Sequence, residues 1–571
     1  MEIATPPASK RIYLPTDLQI TSWQTVEKYF EDLKSRPINS VEDLKNWLHH
    51  RSELESVMQE DLGWRYIRMT CDTENKTYEE AFNFYVSEIE PNVSLYTQEI
   101  NLKLLQCPFL DQLNDGRYYN FIRHVKKSVE IFREENIPIQ AELHQKEQQY
   151  GSIAGAMTVE VEGKEITLQQ AAKYLKSTDR SKREEVYSKI ADRRLHDADK
   201  LDALYSELIQ LRHKIAVNAG FANFRDYAFA AMGRFDYTPQ DCFLFHESIS
   251  KHVVPICNQL EEERKKQLGV SPYKPWDTEV DTDGKSPLKP FANGDEMMTK
   301  AIDCFKTINP FFGDCLQQLK SLEHVDLDSR IGKAPGGYNY PLYETGVPFI
   351  FMNSSGLLRD LVTIVHEGGH AIHSIVTQKL DYVDMKSCPS EVAELASMSM
   401  ELISMEHWDQ FFNNSDELKR ARKEHLEDVL TVLPWVATVD KFQHWVYINP
   451  THTVDERKVM WEKTFTEFGS NVIDWTGQEN FKKHLWQKQL HIFEVPFYYI
   501  EYGMAQLGAI ALWHNYKEDP DKAVQQYLNA LKLGYTKSIG EIYNEAGAKF
   551  DFSSDYIKDL MQFVKQELAK L

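Results

Sequence analysis

Apolar residues three and four apart recur through most of this 571-residue chain, and that period leaves little room for anything but a helical fold. Segments 78–105, 116–134, 181–217, 415–432 and 520–533 carry it among Glu, Lys and Gln. Strict alternation is rare. Residues 157–168 (MTVEVEGKEITL) alternate around a glycine and predict a hairpin. Residues 346–353 (GVPFIFMN) make a short strand-like run. The expected class is therefore mainly α, with a small β-hairpin and a short β-element. A single core stops growing at about 250–300 residues, so two lobes are expected. Residues 268–295, rich in Pro, Gly and Asp, read as a long loop or a boundary. The expected division is a helical N-terminal lobe over 1–200 and a second lobe over 201–571 that holds the motif described next.

Charge narrows the partners. A formal net charge of −22 repels phosphate backbones and anionic lipid, which argues against nucleic acid and membrane surfaces. Seven scattered cysteines, an odd number without a CxxC pair, suit a reducing compartment better than a disulfide framework. The opening MEIATPPASKRIYLP has no apolar core of a signal peptide. The most apolar stretch, 492–513, is interrupted by Glu494, Glu501 and Gln506 and is too polar to span a bilayer. A cytoplasmic location is expected.

Residues 366–370 read His-Glu-Gly-Gly-His after the unbroken helical run LLRDLVTIV. On a helix, His366 and His370 lie one turn apart on one face, and two imidazoles so placed can reach one Zn²⁺ at about 2.0–2.1 Å. Glu367 then stands beside the metal as a base for a water molecule. Each glycine in a helix interior costs about 1 kcal/mol relative to alanine, so Gly368 and Gly369 break a local rule. Bare backbone there lets another chain or a substrate come close. His373 continues the same face. The segment 388–405 (CPSEVAELASMSMELISM) predicts a second helix opened by Pro389 and Ser390, with Glu391, Glu394 and Glu401 near one face among apolar neighbours. Buried carboxylates need a cation or a partner. One of these glutamates can be the third ligand of a site that keeps its fourth position open, and another can orient an imidazole. Two histidines and a carboxylate favour zinc over harder ions.

At these residues the chain resembles the thimet-oligopeptidase and oligoendopeptidase F family of zinc metallopeptidases, with oligoendopeptidase F the closer likeness. The segment 332–353 (GKAPGGYNYPLYETGVPFIFMN) resembles that family's glycine-rich loop and substrate-contacting strand, 390–402 (SEVAELASMSMEL) its third-ligand helix, and 491–506 (HIFEVPFYYIEYGMAQ) its tyrosine-rich segment. Weaker likenesses occur at 177–187, 218–229 and 268–277. The resemblance implies a helical two-lobed peptidase with a deep central channel, one Zn²⁺ held by His366, His370 and Glu394, and oligopeptide substrates. It also implies that a histidine and tyrosines of the third segment stabilise the oxyanion, which points to His491, Tyr498 and Tyr502, with Tyr499 competing for the place of Tyr498. Glu391 is the alternative third ligand. The strand Pro348–Met352 is expected to pair with an extended peptide or else to be a buried strand with no free edge, and Gly336-Gly337-Tyr338 to form a mobile loop. The expected reaction is cleavage of internal peptide bonds. A dipeptidyl-carboxypeptidase activity and an inactive metal-binding scaffold are the alternatives.

Overall fold

The computed structural model describes residues 11–330, 332–334 and 336–571, and all of their side chains except that of Gln148. Most of the N-terminal stretch read for a signal peptide, and Pro335 in the glycine-rich segment, lie outside the described residues. Helices dominate, and they begin where local chemistry satisfies their first amides. Ser40 caps the long helix Val41–Cys71 by accepting from Asp43 N, with Glu42 and Asp43 in the first turn. The segment 181–217 is two helices, Arg180–His196 and Ala198–Asn218. The break falls at Asp197, whose carboxylate binds Arg193 and Lys200 on either side.

The predicted hairpin forms from β1 (Thr158–Val161) and β2 (Lys164–Thr167). Its two-residue loop, Glu162-Gly163, has φ of 56° and 75°, the left-handed pair that a tight hairpin requires. A second sheet contains β3 (Val325–Asp328), β4 (Tyr338–Tyr340) and β5 (Phe349–Ser354) in the order β3-β5-β4. β5 is parallel to β3 and antiparallel to β4. Both edges of β5 are therefore taken, and Phe349, Ile350, Phe351 and Met352 are buried. The strand expected to offer an edge to a peptide is instead the centre of its sheet. The alternating glycine-rich stretch before it supplies one of its neighbours, Tyr338–Tyr340.

The chain packs into two units, and each draws on three stretches. One combines residues 1–130, 288–422 and 505–550. The other combines 131–287, 423–504 and 551–571. A single boundary at 200/201 does not describe this arrangement, because the helix Ala198–Asn218 lies within the second unit. The Pro- and Gly-rich stretch 268–295 does contain one crossing between units, at 287/288. In the first unit, Trp47, Phe30, Leu33, Leu44 and Val57 centre one hydrophobic cluster. Trp64 and Ile67 form another with Phe349 and Phe351 of β5. No helix among the described residues is long and apolar enough to cross a membrane.

Candidate metal centre

The motif lies in the middle of the helix Leu358–Thr377. Asp360 fixes the start of this helix by accepting from Ser355 N and Leu357 N at 2.7 and 2.9 Å. The second predicted helix, Ser390–Met405, packs along it. Tandem glycine makes this packing possible. A Cβ on Gly369 would lie 2.6 Å from Ser397 Cα and 2.7 Å from Ala396 O, and one on Gly368 would strike the Phe305 ring at 2.8 Å. The close approach expected at these glycines is thus made by the neighbouring helix and a phenylalanine.

His366 and His370 stand one turn apart with ring centroids 4.9 Å from each other. Glu394 Oε2 is 3.4 Å from His366 Nε2 and 3.8 Å from His370 Nε2. Ligand atoms of these three residues all lie within 4.8 Å of one another. Ser397 Oγ donates to Glu394 Oε2 at 3.1 Å. On the other side of the His366 ring, Nδ1 meets Glu401 Oε1 at 2.6 Å. A carboxylate can only accept there, so Nδ1 carries a proton and Nε2 is the nitrogen that faces Glu394 and His370, open to a cation once its own proton leaves. Glu391 and His373 do not join the converging set. The Glu391 carbonyl accepts from the Tyr543 hydroxyl at 2.9 Å, and His373 Nε2 is 3.3 Å from Cys388 Sγ.

Glu367 is buried, and its Oε2 has no hydrogen-bond partner. Burial pushes its carboxyl up to about 7, with His366 opposing and Glu394 and Glu401 adding. Burial works against charging His366, yet its hydrogen bond to Glu401 and the charges of Glu401, Glu394 and Glu367 carry it up to about 10. His370 is held well below its ordinary value by burial, His366 and His373. Three carboxylates therefore call for positive charge at one point between the helices. Two imidazole nitrogens and one carboxylate oxygen there fit a divalent cation with a coordination position to spare.

The third segment belongs to the second unit through residue 504. A short helix, Leu490–Glu494, is followed by a turn in which Phe497 has φ of 70°, a strained value for a bulky residue. Buried groups hold this turn in place. Phe497 N donates to Gln443 Oε1 at 3.1 Å, Arg234 donates to Phe497 O, and Arg234 pairs with Glu501 at 2.8 Å. The helix Tyr499–Glu518 starts one residue after Tyr498, so Tyr498 precedes the helix that carries Tyr502. Their rings still meet, with centroids 5.3 Å apart, and His491 lies 4.9 to 6.0 Å from the rings of Tyr498, Tyr499 and Tyr502.

Two residues that sequence reasoning passed over define the state of His491. The Trp435 indole N–H donates to Gln489 Oε1 at 3.0 Å, which leaves Gln489 Nε2 to donate to His491 Nδ1 at 2.7 Å. The proton of the neutral His491 ring is therefore on Nε2. Burial lowers its pKa to about 4 and keeps it neutral. Gln489, two residues before His491, was within reach of sequence reading. Trp435, on a helix more than fifty residues away, was not.

Two packed helices that present a His-Glu-x-x-His pair, a convergent glutamate and a carboxylate behind one imidazole define a site of the metallopeptidase class. The family follows from the sequence comparisons. Residues 173–562 match the model of peptidase family M3 and residues 15–132 match the peptidase M3 N-terminal domain, and the chain belongs to family M3. It is 24% identical over 394 residues to an oligoendopeptidase F homolog of Lactococcus lactis subsp. lactis, covering 65% of this chain and 62% of that protein. The chain thus spans about three fifths of the length of the curated relatives it matches. Among solved structures, PZ peptidase A with an inhibitor is 25% identical with a TM-score of 0.90, over 96% of this chain and 97% of that one. An oligoendopeptidase F from Enterococcus faecium, 16% identical with a TM-score of 0.65 over 96% and 97% of the two chains, shares the fold.

Proposed function

We propose that this chain is a zinc-dependent endopeptidase that cleaves internal bonds of short oligopeptides. One observation carries the reading: the Nε2 atoms of His366 and His370 and Oε2 of Glu394 converge at 3.4 and 3.8 Å, beside a buried Glu367 oxygen that has no other partner. When bound, Zn²⁺ supplies the Lewis acidity that polarises a carbonyl and acidifies water. Glu367 takes the proton of the attacking water and returns it to the leaving amine. Glu401 holds His366 in the tautomer that presents Nε2. His491 Nε2–H and the hydroxyls of Tyr498 and Tyr502 are the donors for the oxyanion, with Tyr499 in the same cluster.

The names of the relatives support oligopeptides and internal cleavage. The seven free cysteines support a reducing, cytoplasmic setting. The net charge of −22 gives no reason to expect nucleic acid or membrane partners. The test is hydrolysis of a quenched nine-residue peptide alongside metal analysis. Glu367→Gln is expected to keep the ion and lose about 10²–10⁴ in rate. Full activity in that variant would overturn the assignment of the base. Products trimmed only as C-terminal dipeptides would replace the endopeptidase reading with a dipeptidyl carboxypeptidase. Metal without hydrolysis in the wild type would make the chain a scaffold.

A further inference from the structure

The second unit holds another cluster of metal-ligating side chains, far in sequence from the motif. The helix Pro239–His252 carries Cys242 and His246 one turn apart. The long helix Ser415–Ile448 carries Asp440 and His444, also one turn apart. All four are at most 3% exposed. Ligand atoms of Cys242, Asp440 and His444 all lie within 4.8 Å of one another, as do those of His366, His370 and Glu394. His246 Nε2 is 2.8 Å from Asp440 Oδ2, and His444 Nε2 is 3.2 Å from that same oxygen.

The protein alone leaves this cluster poorly satisfied. His246 Nδ1, Asp440 Oδ1 and His444 Nδ1 are buried and have no hydrogen-bond partner, and His444 Nε2 has the ion-pair approach to Asp440 but no well-formed hydrogen bond. Such atoms are each costly in an apolar surrounding, and the surrounding here is aromatic. The Phe243 and Phe497 rings lie 4.9 and 5.3 Å from the His444 ring, and Phe468 lies 6.2 Å from His246. A divalent cation reduces the deficit. With a Cys242 thiolate and an Asp440 carboxylate, the charges on a 2+ ion cancel, and His444 Nε2 gains a partner. A thiolate among the donors selects Zn²⁺ over harder ions.

We propose a second zinc site in which Cys242, Asp440 and His444 hold the ion and His246 anchors the carboxylate. Its donors are sealed from solvent, which suits an ion that joins helices and not one that meets a substrate. The ion would clamp two helices of the second unit together. One of them also carries Gln443, which holds the strained Phe497 turn ahead of the tyrosines. This site is independent of the one assigned to hydrolysis.

The full chain with His366→Ala and His370→Ala, purified with added Zn²⁺, is expected to retain one ion per chain by elemental analysis, against two in the wild type. Loaded with Co²⁺ instead, the same variant is expected to show a thiolate-to-cobalt charge-transfer band. Adding Cys242→Ala should abolish that band, whereas adding Cys388→Ala should leave it. Absence of bound ion in the double variant would overturn the proposal, and so would a band that survives Cys242→Ala. The double variant keeps the second site intact, so this reading does not depend on whether the Cys242 variant folds.

Discussion

The two-helix site of the first unit and the tyrosine segment of the second reach their geometry by opposite routes. His366, His370, Glu394 and Glu401 sit on two regular helices, and their relative positions follow from helical pitch and one glycine-mediated contact. His491, Tyr498 and Tyr502 flank an irregular turn with a left-handed Phe497, held by Gln443, Arg234, Gln489 and Trp435. Regular backbone sets the spacing of the proposed metal ligands. Strained backbone, pinned by buried polar partners, holds the proposed donors. The first arrangement tolerates little change of shape in the helix pair, and the second tolerates little change in its distant supports.

Substitutions that remove one chemical group at a time test this contrast. The largest effect in this series is expected at the tyrosines. Replacing Tyr498 or Tyr502 by Phe keeps the aromatic cluster and removes a donor, and kcat should fall by about 10²–10³ for whichever phenol meets the oxyanion. Unchanged kcat in both variants would move that role to Tyr499 or leave it with His491. Next in size is Glu401→Gln, which weakens the restraint on His366. Zinc affinity or activity is expected to drop by about 10- to 100-fold, read by competition with a chelator. An unaltered affinity would show that the 2.6 Å contact does not tune the ligand.

Smaller effects probe stability. Gly369→Ala drives a methyl group into the backbone of Ala396 and Ser397 and should cost about 1–3 kcal/mol in chemical denaturation. Gly151→Ala, also in a helix but with open space at its Cβ, should gain up to about 1 kcal/mol. Equal effects at both positions would refute the close-packing account. The last concerns pH, where the effect per pH unit is small. His491 stays neutral in the folded state down to about 4, whereas an unfolded histidine takes up its proton near 6.5. Between these values the unfolded chain binds the extra proton, so His491 drains stability as pH falls, by at most about 1.4 kcal/mol per pH unit. His491→Asn should therefore lose stability less steeply than wild type between pH 6.5 and 4 in urea titrations.

What the sequence revealed followed this same division. Helical periodicity exposed the helices around 366 and 394, since pitch alone places His366 over His370 and Glu394 seven residues before Glu401. The hairpin was legible because its turn chemistry is local. The burial of β5 was not, since only its pairing with β3 and β4 decides whether an edge is free. The turn at Phe497 was not legible either, because the groups that hold it, Gln443 and Arg234, lie far along the chain. The Cys242 cluster escaped notice for a related reason: its two halves are separated by nearly two hundred residues, and neither half is distinctive by itself.

The first unit takes its last stretch, 505–550, from late in the chain, and this has a consequence during synthesis. The hydroxyls of Tyr527 and Tyr543 bond the carbonyls of Ala396 and Glu391 at 2.9 Å each. A ribosome that has released residue 405 has made His366, His370 and Glu394 but neither of these braces. The helix with Glu394 must wait for well over a hundred further residues before these supports exist, so its final packing is completed only near the end of translation.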